Sequence, residues 1–471
     1  MMKSIRKSAG NSARIGLTKI GMTVSALLII AALVLAACSA PEPQTAPEAP
    51  DATTVQAQQS TTSQQTTAPA AAAPTATLPP ANTPRPAATA TPVPSKPVAT
   101  AEPQVSAHAS IVTPATGNEK TVPEIRGIES WINSEPFTFE EQRGKVVLVD
   151  FWTYTCVNCI RTLPFLKAWH EKYADKGLVI VGIHTPEFEF EKDRENVVEA
   201  TEGFGLEWPI AQDNDFKTWR AFNNRYWPAK YLVDKDGLIR YTHFGEGAYD
   251  ETELWIRGLL EEAGADLSDV SASTLPEPRH AVSLRSMTRE TGLTREIYAG
   301  FERNYNALLG STPYVLHQEY YQDEDVEIFY TDPGDYRNHF LYLQGLWRNE
   351  SERLVHARET ENYEDYLALK FNATSVNAVM SPISGGEYQV RVTLDDQPIS
   401  PEVAGTDVMF DAAGNGYIVV DSARMYHIVN LPEYASHELK LSSNSPEFSL
   451  FAYTFGAYDG GEPAPTGYDA N

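Results

Sequence analysis

Cys156 and Cys159 stand two residues apart in the run "VDFWTYTCVNCIRTLP" (149–164), directly behind an apolar stretch. Two thiols at this spacing can cycle between dithiol and disulfide. One attacks a foreign disulfide sulfur, and the other resolves the mixed disulfide that results. A closer or farther spacing misplaces the second sulfur. The chain has only three cysteines in 471 residues, which excludes a disulfide-stapled scaffold. A zinc site would need two further soft or imidazole ligands, and no second cysteine pair remains to supply them. A c-type haem would need histidine where Ile160 stands. A purely structural bridge closing so small a loop would add little stability. Redox chemistry is what remains, with Cys156 and Cys159 as the catalytic pair and no metal or cofactor called for.

The pair must be held by a strand that ends and a helix that begins. "KVVLVDFW" (145–152) is a continuous apolar run of the kind found in buried strands, and Val157–Tyr173 carries helical spacing at Ile160, Leu163, Leu166 and Trp169. A thiol at the first turn of a helix faces unpaired backbone N–H groups and the positive end of the macrodipole. The sequence therefore predicts a lowered pKa at Cys156, the nucleophile, with Cys159 resolving. Further along, "LVIVGIHT" reads as a second buried strand and "ENVVEATEGFG" as a helix ending at glycine. A short helix follows around "DFKTWRAF", then a hairpin in "AKYLVDKDGLIRYTHF" turning at Asp236-Gly237, and a closing helix over Glu253–Ala263. This alternation predicts an α/β unit with a mixed sheet and flanking helices over 118–266.

With these residues in place, the segment resembles the membrane-tethered thioredoxin-fold proteins of the TlpA/ResA kind. The resemblance implies a thiol–disulfide oxidoreductase and assigns supporting roles. Asp150 takes the place of a buried acid that exchanges the resolving thiol's proton, and Trp152 that of the "FW" signature tryptophan. Pro164 corresponds to the proline inside the first helix, Gly245 to the glycine before the last one. Trp227-Pro228 corresponds to the cis-proline loop that pairs with an extended substrate. His184 and Glu187, in "GIHTPEF", sit at a strand end that could approach the site. The sequence departs from the common pattern at Thr155, before the first cysteine, and at Val157-Asn158 between the thiols. The redox potential therefore cannot be carried over from familiar members.

"TYTCVNCIRTLP" and "VGIHTPEFEFEKD" are most similar to the extracytoplasmic thioredoxin portion of DipZ proteins. In those a membrane electron conduit precedes that portion and a sugar-binding-module-like β domain follows. After a Ser/Pro/Glu-containing linker (267–292), strands dominate here too. In "YQVRVTL", Tyr388, Val390, Val392 and Leu394 share one face while Gln389, Arg391 and Thr393 share the other. The strings "TREIYAGF", "RMYHIV" and "AYTFG" resemble the DipZ β domain. An all-β, jelly-roll-like sandwich is expected over 293–458, with 459–471 as a disordered tail. Its aromatics Trp347, Tyr342 and Tyr426 fit core packing better than a sugar platform. A glycan or protein ligand for this half stays open.

The amino terminus addresses the chain to a membrane surface. Lys3, Arg6, Lys7, Arg14 and Lys19 precede the apolar "VSALLIIAALVL" and then Leu35-Ala36-Ala37-Cys38. This is the plan of a secretory signal peptide, and its end resembles a bacterial lipobox, which implies cleavage after residue 37 and lipidation of Cys38. From 38 to 117 the chain is rich in Pro, Ala and Thr and reads as a disordered tether, spanning roughly 50 Å as a coil. The expected location is the cell membrane, lipid-anchored, on its extracytoplasmic face. Formal charge is −26; without the five basic residues before Cys38, 32 basic residues face 63 acidic, or −31. Such a surface disfavours nucleic acid. Protein thiols and disulfides are the expected substrates, with electrons from a separate membrane donor of the CcdA/DsbD kind. Two other readings stand beside this one: a peroxiredoxin-type thiol peroxidase, and a binding lipoprotein with a vestigial redox domain.

Overall fold

The computed structural model describes residues 112, 113, 115–281, 291–308 and 310–463. The expected signal peptide, Cys38 and nearly all of the tether lie outside the described residues, as do linker residues 282–290 and tail residues 464–471. Among the described residues no helix is long and apolar enough to cross a membrane.

The first half is built on β1 (Trp131–Ile132), β2 (Val146–Trp152), α1 (Val157–Tyr173), β3 (Leu178–His184), α2 (Arg194–Gly203), β4 (Ile210–Gln212), α3 (Lys217–Ala221), β5 (Ala229–Val233), β6 (Ile239–Phe244) and α4 (Tyr249–Glu262). Its sheet runs β1-β4-β3-β2-β5-β6. β2 lies parallel to β3 and antiparallel to β5. This is the expected mixed sheet with flanking helices, and β2 sits near its centre. All seven residues of β2 are buried, and the period of two sorts them. Val147, Val149 and Phe151 pack with Trp219 and Phe222 on one face. Val146, Leu148 and Trp152 pack on the other with Leu166 and Trp169 of α1. By the same alternation Asp150 falls on the α1 face, which is how a strand residue comes to lie beneath the helix that carries the cysteines. The short β1 gave no periodic signal in the sequence, and α4 begins four residues earlier than its apolar spacing indicated.

The second half contains β7 (Ile297–Tyr298), α5 (Phe301–Leu308), β8 (Glu327–Tyr330), β9 (Leu341–Asn349), β10 (Leu354–His356), β11 (Tyr366–Ser381), β12 (Tyr388–Leu394), β13 (Gln397–Pro398), β14 (Met409–Phe410), β15 (Gly416–Val420), β16 (Arg424–Ser442) and β17 (Ser449–Gly456). These strands form one large antiparallel network. The long β11 pairs with β16 along its length, with bulges near Ala373–Ser375 and Val376–Asn377. On its other edge it pairs first with β9 and then with β17. Bulged strands that change partners turn a sheet over its own core, here filled by Leu343, Trp347, Leu369, Val390, Tyr426 and Tyr453.

Both faces of β17 are buried, because its outer face is covered by the first half. Val379 of β11, Met425 of β16, and Phe451 and Ala452 of β17 belong to the same apolar cluster as Cys159 and Trp152. The segment read as a disordered tail is ordered in its described part. Asp459 N–H donates to the Arg279 carbonyl at 2.8 Å, and Glu462 is held in a buried ion pair. Linker residues pack back as well: Ser273 N–H donates to Glu253, and the Glu277 carboxylate accepts from Tyr249 N–H at the start of α4.

Candidate functional site

Cys156 is the N-cap residue of α1, and its Sγ accepts the Cys159 N–H at 3.2 Å. The helix start thus falls where strand propensity ends, and the sulfur occupies the position that a serine or aspartate side chain takes in ordinary caps. Both thiols are free; Cys156 is partly exposed and Cys159 buried. Burial pushes the Cys156 thiol well above its ordinary pKa, and neighbouring Cys159 adds to this, while the donated N–H pulls the other way. The lowering expected from the helix start is therefore outweighed. One N–H and a partial dipole do not offset removal from water. Burial also raises Cys159.

Beneath the helix, Asp150 is 2% exposed, and burial raises its carboxyl to about 6 against the pull of Lys230. Lys230 lies directly across the β2–β5 ladder. Its Nζ is 3.6 Å from Asp150 Oδ1, and the two side chains are 1% and 2% exposed. At that distance they form an ion pair without a direct hydrogen bond. Asp150 raises Cys159, and Lys230 lowers it. An acid that changes protonation near neutrality therefore sits within electrostatic reach of the resolving thiol.

The Trp227–Pro228 peptide is cis, and the Pro228 carbonyl accepts the N–H of Gly245, which has φ +85°. Trp152 packs edge-on to His184, ring centroids 5.4 Å apart. It also lies so close to Gly182 that an added Cβ would come within 2.8 Å of its Nε1. His184 is fully buried and kept neutral, burial lowering its pKa to about 3; it packs behind the site. Glu187 reaches the rim instead. The structure thus gathers Cys156, Cys159, Asp150, Trp152, Trp227 and Pro228 in one region. Trp347, Tyr342 and Tyr426 lie in the interior of the second half, at 0%, 2% and 0% exposure, so they present no sugar platform.

Several participants were missed by sequence reasoning. Lys230 carried a signal, a lone lysine inside the apolar "AKYLV". Glu191 carried none, since "EFEFEKD" reads as a solvated run. It is fully buried and accepts the Thr155 hydroxyl at 2.6 Å and the N–H groups of Glu187 and Phe188. It thereby ties the residue before Cys156 to the 187–188 loop. Burial raises it to about 7, against the Thr155 hydrogen bond. The largest omission is the second half itself. A cavity of about 100 Å³ at Cys156 is walled by Thr155, Asn158, Glu187, Phe188 and Trp227 from one side and by Glu296, Tyr298, Val379, Ala452 and Thr454 from the other. The Tyr298 hydroxyl lies 2.9 Å from Glu187 and 3.2 Å from Glu296, and Arg303 pairs with Glu187 at 2.9 Å.

Residues 121–242 match the AhpC/TSA family, and residues 294–456 match the thioredoxin-like C-terminal domain family. Protein DipZ of Mycobacterium bovis is 35% identical over 290 residues, covering 60% of this chain and 38% of its own length. This chain therefore spans well under half of the DipZ sequences it matches. Thiol-disulfide oxidoreductase YkuV of Bacillus subtilis is 32% identical over 142 residues, 30% of this chain and 95% of its own. A thioredoxin-like protein solved in its oxidized form is 30% identical, covering 31% of this chain and 97% of its own, with a TM-score of 0.29.

Proposed function

This chain belongs to the thioredoxin-like thiol–disulfide oxidoreductases, and from that premise we propose that Cys156 and Cys159 are its exchanging pair, working as a reductase of extracytoplasmic protein disulfides. The observation that carries this reading is the placement of Cys156 at the N-cap of α1, its Sγ on the Cys159 N–H, above the buried Asp150. Cys156 gives up its thiol proton to solvent, and the thiolate attacks one sulfur of the substrate disulfide. A mixed disulfide forms, and the other substrate sulfur leaves as thiolate. Cys159 then gives up its proton to the Asp150 carboxylate and attacks Cys156 Sγ, releasing the second substrate thiol. The substrate disulfide gains two electrons and the Cys156–Cys159 pair loses them. Trp227 beside Pro228 offers its backbone N–H and carbonyl to an extended substrate.

The thiols' environment supports this direction. Strong oxidants of this kind owe their potential to a stabilised thiolate in the reduced form. Here burial raises both thiols, which supports a low, reducing potential. The reduction potential of the pair, measured against glutathione and dithiothreitol buffers, tests this. A value near that of strong oxidants would overturn the reductase direction.

Membrane tethering through lipidated Cys38 and a separate donor of the CcdA/DsbD kind complete the proposal. The signal-like amino terminus supports the first, and the oxidised Cys156–Cys159 pair left after each turnover requires some reductant. The AhpC/TSA match favours a second reading, peroxide reduction by Cys156. Peroxide consumption that persists in Cys159→Ser would select it.

A further inference from the structure

The candidate thiol of this protein is only partly exposed, at the edge of a cavity shared by the two halves. Its cavity holds about 100 Å³, the share of liquid volume of roughly three water molecules. Val379, Ala452 and Thr454 of β11 and β17 form the wall opposite Cys156. Three sets of contacts around the cavity hold that wall down. Arg161, on α1, makes a two-pronged ion pair with Glu462 at 2.6 and 2.8 Å. Glu187 is gripped by Tyr298 and Arg303. Phe188 and Phe190 pack edge-on against Phe451, with centroids 5.2 and 4.8 Å apart. Two features point to a ligand in the gap. Trp227 lines it, and neither its amide N–H nor its carbonyl is paired with another described residue. A second cavity of about 310 Å³ lies beside the first, with Asn158 and Glu296 lining both and Leu293 and Phe455 among its walls.

We infer that the second half is a fixed cap that restricts this site to disulfides carried on an extended, unfolded segment of polypeptide and excludes disulfides displayed on a folded surface. The inference rests on the disulfide-exchange reading above. One extended strand is about 5 Å across in its hydrogen-bonding direction, so a single cysteinyl residue fits the smaller cavity and the adjoining cavity leaves room for the residues that flank it. A folded surface brings neighbouring loops with it, and these meet β11 and β17 before the sulfurs meet. Small residues at 452 and 454 leave room beside the attacked sulfur, so this wall sets how bulky a flanking residue can be.

The test uses two probes that carry the same thionitrobenzoate mixed disulfide. One is a five-residue linear peptide with a central cysteine; the other is a stable folded protein with a single cysteine on a surface helix. The reduced full chain is mixed with each, and the rate is divided by that of dithiothreitol with the same probe. The peptide is expected to be favoured by at least about tenfold. Ala452→Phe, which fills the wall, should slow the peptide by a similar factor. Should that variant fold poorly, Val379→Ala widens the gap instead and should raise the relative rate of the folded probe. Equal normalised rates for the two probes in the unaltered chain overturn the cap. Reaction with neither probe, when both thiols still titrate after denaturation, overturns the exchange reading itself.

Discussion

Arg161 and Glu462 stand 301 positions apart in the chain and meet in a two-pronged ion pair whose side chains are each 2% exposed. Arg161 also bonds to Asn158, between the two cysteines, and lies over the ring of Tyr458. Glu462 in turn accepts from the Ser375 hydroxyl of β11. The helix that begins at Cys156 is thereby fastened to the last described residues of the β half.

Arg161→Leu leaves the Glu462 charge buried and alone, which should cost about 3–5 kcal/mol of stability. The double variant Arg161→Leu/Glu462→Leu should recover most of the loss, since a buried pair replaced by apolar groups is often near neutral. Denaturant unfolding of the single and double variants checks this. A double variant as weak as Arg161→Leu would show that the pair does more than cancel its own charges.

Cys159→Ser should accumulate mixed disulfides through Cys156, visible as dithiothreitol-sensitive adducts by mass spectrometry, because the resolving sulfur is gone. Cys156→Ser should accumulate none, Cys159 being buried on the inner face of α1. Adducts on Cys156→Ser would reverse the assignment of nucleophile and resolver.

The Asp150 carboxylate is the form that accepts a proton, so the resolving step should speed up as pH rises through its ionisation near about 6. Asp150→Asn should slow that step by roughly 100-fold and flatten the profile. Lys230→Met removes the charge that holds Asp150 down, so the inflection should move to higher pH. Rapid-mixing kinetics of release from a preformed Cys156 adduct reads both effects.

Glu191 has its folded-state pKa raised from 4.5 to about 7. Between those values the folded state holds the proton more tightly than the unfolded chain, so stability falls as pH rises through this window, by up to ~3 kcal/mol. Asp150, raised from 3.8 to about 6, adds a slope of the same sign. Glu191→Gln cannot titrate and should flatten the upper part of the curve, whatever it does to absolute stability. Chemical unfolding at several pH values separates slope from offset.

Gly182→Ala should destabilise by about 1–3 kcal/mol, because the new Cβ would lie 2.7 Å from Ile210 Cδ1 and 2.8 Å from Trp152 Nε1. Near-ultraviolet circular dichroism should report the displaced indole alongside the loss in unfolding free energy.

The local half of this architecture was legible in the sequence because it rests on periodicity and punctuation. β2 reads as a buried strand since its apolar run is continuous, and α1 shows itself by spacing that outweighs the proline at 164. The residues beside Cys156 and Cys159 could be named from a resemblance. What could not be read are contacts between residues more than a hundred positions apart: Arg161 with Glu462, Glu187 with Tyr298, Cys156 with the Ala452 wall. Glu191 was hidden for another reason. Its neighbours are charged and aromatic in alternation, so its burial depends on a loop fold that leaves no periodic trace. The lowered pKa expected at Cys156 failed in the same way, since the apolar cover over the helix start comes from strands far away in the chain.

The strands that close over Cys156 contain no cysteine, and the described residues contain none besides Cys156 and Cys159. A nucleophilic sulfur enclosed by its own polypeptide would ordinarily risk capture by a nearby thiol, ending the cycle in a dead internal cross-link. Here a mixed disulfide on Cys156 can be discharged within the described chain by Cys159 alone. The described enclosure thus offers no second sulfur that could divert the proposed exchange it surrounds.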